Sequence, residues 1–276
     1  MVESLLLYKI KKYLRVIILV ILILAYLSPL YWIFTTAFKT RSEMFANPFY
    51  LTQVTLENFE EAARYGAFDA ITNSVIITVG GVGLALVLSV FAAYAFSRYA
   101  LRGKNILMFY ILSTRMMPPI ALVIPIFMMF QKFGLKGTYA GLILMYATIS
   151  LPFSIWMIKS FIDDIPKDID QAAILDGHSL TYVLFKIVIP MVLPGIVASI
   201  VFSAITIWNE FVFALLLSGI NTRPTSVLLS SIRGERGFNW GRIAAIEVVY
   251  ILPIIIFVFL VQKHLLRGLT FGTVRR

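Results

Sequence analysis

From Val16 to Phe38 the chain carries no charged side chain. A soluble domain of this size rarely hides an apolar run that long, whereas a bilayer core of roughly 30 Å needs about twenty such residues in a helix. In hydrocarbon every backbone N–H and C=O must be bonded within the segment, so the run is restricted to a helix. Comparable runs recur, and the sequence predicts spans at about 16–38, 71–97, 106–130, 139–160, 194–217 and 243–261. Composition agrees: 60% of residues are hydrophobic and 14% charged, against about 45–50% and 25% in soluble domains. The expected fold class is an all-α integral membrane protein with six transmembrane helices. The first run is too long for the core of a signal peptide and is read as a retained span.

Six spans place both ends of the chain on one side. Fourteen Lys and Arg fall in the segments on that side and nine on the other, with Arg115 inside a span. Positive charge concentrates in cytoplasmic loops, so residues 1–15 are read as a cytoplasmic N-terminal segment, 16–262 as the transmembrane domain and 263–276 as a cytoplasmic tail. The net charge of +10 is thereby assigned to topology: the expected partner is the lipid bilayer, not nucleic acid. The chain has no Cys, which removes disulfides and thiolate metal sites. His178 and His264 lack metal-ligand spacing, so no metal site is expected.

Within the spans, Gly80, Gly81 and Gly83 form a small-residue patch suited to close helix contact. Pro118, Pro119 and Pro125 predict a kinked or locally unwound third span. A charge inside a membrane is costly and points by default to function. Arg115 therefore lines a pathway, pairs with Glu210 or Glu247, or reaches the interface. Trp208, Asn209 and Glu210 are candidate pathway residues: an indole suits the CH face of a sugar, and the amide and carboxylate suit its hydroxyls. Bonding between helices is the alternative for this trio.

The loop 161–190 is polar within a mostly apolar chain, and on this topology it is cytoplasmic. Pro166 suits the first turn of a helix. Ile165, Ile169, Ala172 and Ala173 recur at helical spacing, Gly177 can end the helix in the left-handed conformation, and Ser179 can cap the next. Leu180, Val183, Leu184 and Ile187 extend the apolar stripe, and Pro190 ends or kinks the second helix. By pattern alone this is either a surface helix packed on its own spans or a docking element.

The spacing carries a resemblance. Gln171-Ala172-Ala173, three residues, Gly177, nine residues and Ile187-Val188-Ile189-Pro190 resemble the E-A-A loop of permease subunits of binding-protein-dependent ABC importers, with Gln171 in place of the acid and Ile189 in place of Leu. Asp170 keeps a carboxylate next to the altered position. A second E-A-A, at Glu61-Ala62-Ala63, lacks the spacing and is read as part of a short surface helix over Leu56 to Tyr65. Asn73-Ser74, Arg115-Met116-Met117-Pro118-Pro119, Trp208-Asn209-Glu210-Phe211 and Arg267-Gly268-Leu269-Thr270 add to the likeness, which is closest to the shorter permease of maltose-type carbohydrate importers.

The resemblance implies a type I importer permease fold with a cytoplasmic coupling helix, in a prokaryotic cytoplasmic membrane. Asp170, Gln171, Ala172, Ala173, Asp176, Gly177, Ile187 and Pro190 would contact an ATPase. The implied partners are a second, non-identical permease, two ATPase subunits and an extracytoplasmic solute-binding protein touching outer loops such as 218–241. ATP and Mg would be bound by the ATPase subunits, with no cofactor in this chain. Consistently, the sequence has no G-x-x-x-x-G-K-[ST] phosphate loop and no G-x-S-x-G or H-E-x-x-H motif, so no catalysis is expected. The alternative function is an ion-coupled secondary transporter using Arg115, Glu210 or Glu247.

Overall fold

The computed structural model describes residues 2–232 and 239–271, with side chains over 11–232 and 239–262. The basic residues Lys9, Arg233, Arg236, Lys263, Arg267, Arg275 and Arg276, and the 267–270 stretch, lie outside the described side chains. The regular elements are all helical among the described residues. They are α1 (Val2–Ala37), α2 (Arg41–Ala46), α3 (Glu57–Arg64), α4 (Ala67–Arg98), α5 (Lys104–Ser113), α6 (Pro119–Lys132), α7 (Tyr139–Asp163) and α8 (Lys167–Leu175). There follow α9 (Leu180–Tyr182), a π-helical stretch (Val183–Val188), α10 (Ile189–Met191), α11 (Leu193–Trp208), α12 (Val212–Leu217), α13 (Thr225–Ser230) and α14 (Trp240–Phe271).

Four of these are long and apolar enough to cross a bilayer over Lys11–Ala37, Ala67–Arg98, Tyr139–Asp163 and Trp240–Gln262. Two bent pairs raise the count to six if each is one span: Lys104–Met116 with Pro119–Lys132 at 97°, and Leu180–Met191 with Leu193–Trp208 at 76°, the second beginning inside the loop expected over 161–190. The first bend falls where the prolines predict it. Met117 and Pro118 are extended, with ψ of 128° and 129°, because a following proline ring crowds a helical backbone. The fifth expected span differs. Its helix stops at Trp208, Asn209 and Glu210 leave it, and a separate short helix begins at Val212. The outermost helices also run past the spans read from hydropathy, since no proline stops α1 before Pro29 or α14 after Pro253.

The chain forms two compact units, Met1–Ala67 with Ile232–Leu252, and Phe68–Ser231 with Pro253–Arg276. In the first, Lys39 is fully buried and donates from Nζ to the carbonyls of Asn47 (2.9 Å) and Pro48 (3.0 Å). Asn58 donates to the carbonyls of Ala37 and Lys39. Glu61, in α3 as the surface-helix reading expects, accepts from Arg242 (2.9 Å) and Asn239 (3.1 Å). Glu43 accepts from the Thr52 hydroxyl and from the amides of Thr52 and Gln53.

Those bonds, the Thr52 hydroxyl foremost, hold the Glu43 carboxyl below its usual range, with Lys39 adding to the effect and burial opposing it. A carboxyl depressed in the folded state stabilises fully above its unfolded value, and that contribution is lost as pH falls through the folded value. The stability difference between the parent and Glu43→Gln is therefore expected to be largest near neutrality and to shrink below about pH 4.5. Thermal melts in detergent at pH 7 and pH 4 check this; a constant difference would refute it.

The second unit is built on α4, α7 and α11. Gly80 and Gly81 bring α4 against α7: a Cβ at Gly80 would lie 2.6 Å from Ile143, and one at Gly81 3.2 Å from Tyr146. Gly83 departs from the expected patch. It meets nothing within 4 Å and instead lines an apolar cavity of about 320 Å³ with Val79, Ala204, Trp208 and Phe257. One core joins Ile77 of α4 to Val123 and Phe130 of α6, Leu142, Met145 and Tyr146 of α7, and Phe213 and Leu217 of α12. A second core joins Val90, Ala93 and Tyr94 of α4 to Ile158 and Ile162 of α7 and to the segment that follows.

Candidate functional site

The segment from Asp163 to Met191 packs through that second core. Ile165, Ala173, Val183, Leu184 and Val188 are buried in it, and Ile169 and Ile187 pack on it. The helix predicted here forms over Lys167–Leu175, with Pro166 immediately before it and Asp168 and Asp170 in its first turn, where acids favour the helix dipole. It stops where expected. Gly177 has φ of +87°, a conformation that costs other residues about 1–2 kcal/mol. The amide of His178 then bonds back to the Ala173 carbonyl at 3.1 Å. Ser179 caps the next helix by accepting from the Tyr182 amide at 3.2 Å.

The two sides of α8 differ in chemistry. Gln171, Ala172 and Asp176 face outward, beside Ile174 at 44% exposure and Leu175 at 88%. A leucine that bare, next to a small residue and a tight turn, is an apolar edge open to another surface. Ala172 and Ala173, expected together at the partner surface, part company: Ala172 is exposed, while Ala173 is buried in the core and not available to a partner. Asp170 contradicts the expectation of a carboxylate offered outward. It is 6% exposed and turned into the chain. Arg98, at the end of α4, donates from Nε to its Oδ2 at 2.6 Å and from Nη2 to Oδ1 at 3.3 Å, and Tyr94 donates its hydroxyl at 3.3 Å. Arg98 also donates to the Ile165 carbonyl at 3.2 Å, and Ser97 donates to Asp163 at 2.6 Å. Arg98, Tyr94 and Ser97 were absent from the sequence-based site. The available signal was Arg98 itself, a cation ending an otherwise apolar helix.

The residues proposed for a pathway are not gathered into one site. Arg115 is exposed and donates to the Ile149 carbonyl of α7 at 2.9 Å. Glu210 accepts from the Tyr146 hydroxyl (2.8 Å) and from the amides of Phe213 (3.0 Å) and Ala214 (3.1 Å). It thus satisfies free amides at the start of α12 from the residue before the N-cap position, and of the alternatives for Arg115 a pair with Glu210 does not form. Asn209 bonds back to the Ile205 carbonyl of its own helix at 2.8 Å, and Trp208 is buried at 6% exposure. Near them, Asn73 and Ser74 at the start of α4 fasten the 221–225 segment. Asn73 donates to the carbonyls of Asn221 (3.1 Å) and Arg223 (3.0 Å), and Ser74 accepts from the Thr225 amide at 2.9 Å. Ser226 donates to the Glu210 carbonyl at 2.9 Å.

This architecture matches known proteins. Residues 85–271 match the family described as binding-protein-dependent transport system inner membrane component. The chain is 34% identical to the trehalose transport system permease protein SugB of Mycobacterium tuberculosis, over 90% of this chain and 92% of that one. It is 30% identical to the trehalose/maltose transport system permease protein MalG of Thermococcus litoralis, over 96% and 97%. Its fold is similar to that in the crystal structure of a bacterial ABC transporter involved in the import of the acidic polysaccharide alginate. The TM-score is 0.80, with 23% identity over 92% of this chain and 96% of that one. With a helical fold, apolar spans and an E-A-A-spaced segment between them, the chain belongs to this family: it is the permease subunit of a binding-protein-dependent ABC importer, a non-catalytic component of the transporter.

Proposed function

We propose that this permease forms half of the translocation pathway of a sugar importer, and that the exposed residues Gln171, Ala172, Ile174, Leu175, Asp176 and Gly177, with Pro190, are its docking surface for an ATPase subunit, while Ala173 and Ile187 seat the segment on the core. The observation that carries the docking reading is the two-sided α8: one face bolted to α4 and the core through Asp170 and Ala173, the other presenting Gln171, Ala172 and Leu175 beside the left-handed Gly177. A helix fixed on one side and bare on the other is suited to receive force and pass it inward. Sugar as cargo is supported by the names of the trehalose and trehalose/maltose relatives. The excess of basic residues on one side supports cytoplasmic termini and a cytoplasmic α8.

The complex would hold a second, non-identical permease, two ATPase subunits that bind ATP and Mg, and an external solute-binding protein that delivers the sugar. ATP-driven closure of the ATPase pair would shift α8 and alternate the access of the pathway. Arg115, Trp208 and Asn209 are the side chains proposed to face it, and Glu210 shapes it by holding α12 in place.

The test is a pair of substitutions at Gly177. No atom of the chain lies within 4 Å of a Cβ there, so Gly177→Ala meets only backbone strain of about 1–2 kcal/mol. Gly177→Trp carries the same backbone strain and adds bulk on the exposed side, where a partner would meet it. Copurification of the ATPase is expected to survive Gly177→Ala and to weaken at least about tenfold with Gly177→Trp, equivalent to 1.4 kcal/mol. Equal binding by both variants would sink the docking reading.

A further inference from the structure

We propose that Arg98 is a positioning residue that ties α8 to the end of α4, so that when a partner displaces α8 the α4 helix moves with it. This rests on the docking reading above.

One helical turn of α4 grips three points of the following segment. Ser97 holds Asp163 at the end of α7, Arg98 holds the Ile165 carbonyl in the linker, and Arg98 with Tyr94 holds Asp170 in the first turn of α8. The Arg98 and Asp170 side chains are each 8% exposed. A guanidinium that meets both oxygens of a carboxylate fixes orientation as well as distance, because its donors are held in a planar fork. The apolar contacts of the surrounding core, to which Val90 and Ala173 both belong, have no such directionality and tolerate sliding. A buried pair of this kind adds little stability over an apolar pair of the same size, yet separating it is costly. Its contribution is therefore an attachment that resists being pulled apart. The far end of α4 shows where the motion would arrive. Asn73 and Ser74 hold the 221–225 segment, about 37 Å along the helix from Arg98 at 1.5 Å per residue.

The experiment uses the complete transporter in proteoliposomes and reads two quantities, ATP hydrolysed and solute moved. Arg98→Met combined with Asp170→Leu replaces the fork by an apolar contact. This complex is expected to assemble and to hydrolyse ATP within about twofold of the parent, because apolar replacement of a buried pair is often neutral. Solute moved per ATP is expected to fall at least about fivefold, with Arg98→Lys, which keeps the charge without the fork, in between. An unchanged ratio would overturn the proposal. A double variant that does not assemble would overturn it too, since the pair would then be a folding contact and not a link. Gly177→Trp is measured in parallel. If it leaves the ATPase bound, the docking reading fails whatever ratio the Arg98 variants give.

Discussion

Asp170→Ala is expected to destabilise the folded chain by about 3–5 kcal/mol, the cost of breaking a buried ion pair by removing one partner. The Arg98 guanidinium would stay where it is, 8% exposed, with a positive charge and no carboxylate. Tyr94 would lose the acceptor for its hydroxyl. Asp170→Asn is expected to cost less, because an amide oxygen can still accept one of the three bonds. Gln171→Ala, one residue away on the exposed face, is expected to stay within about 0.5 kcal/mol, as surface changes usually do. Thermal melts of the purified chain in detergent separate the cases. Similar losses for Asp170→Ala and Gln171→Ala would show that the carboxylate is not held inside.

Gly141→Ala is expected to cost about 3 kcal/mol, at the upper end for overpacking. A Cβ at this position would lie 2.2 Å from the carbonyl oxygen of Leu135 and 3.0 Å from its carbon. The crowding comes from how α7 begins. Thr138 caps the helix by accepting from the Gly141 amide at 3.0 Å, and the turn at Gly134 and Gly137 folds the chain back so that Leu135 sits over Gly141. A backbone carbonyl has no rotamer to move to, so relief requires shifting the turn or the helix. Gly80→Ala gives the contrast, since its close neighbour is the far end of the Ile143 side chain. Detergent-solubilised yield and melting temperature should fall steeply for Gly141→Ala and modestly for Gly80→Ala. Comparable values would show that the turn yields as readily as a side chain.

Apolar length and local punctuation were readable in the sequence. The apolar runs mark the candidate spans, the break at Met117–Pro118 follows from the proline ring after each of them, and the end of α8 from Gly177. Asp170 departs from the expected outward carboxylate, and Glu210 follows the inter-helix alternative through Tyr146. Asp170 stands at helical spacing from Ala173, hence on the packed side of α8, but a carboxylate reads as solvent-facing until a cation is found to meet it. That cation, Arg98, lies seventy-two residues earlier. Glu210 lies in an apolar run that hides a helix break. Hydropathy averages over Asn209-Glu210-Phe211, whereas the backbone uses the glutamate to begin α12. The tertiary partners of both carboxylates lie on other helices, and no local pattern names them.

The π-helical stretch at Val183–Val188 gives the nine-residue interval between Gly177 and Ile187 a physical meaning. A π-helical turn takes up more residues than an α-helical one, and it usually arises as an insertion into an existing helix. Val183, Leu184 and Val188 before the bend, and Val192 and Ile196 after it, all point into the same core, although five residues separate Val183 from Val188 where four separate each later pair. The wide turn absorbs that surplus and brings the two stretches into phase. What the interval sets is therefore an angle: the rotation that presents Gln171, Ala172 and Leu175 outward while Ala173 and the core-facing residues after it stay seated.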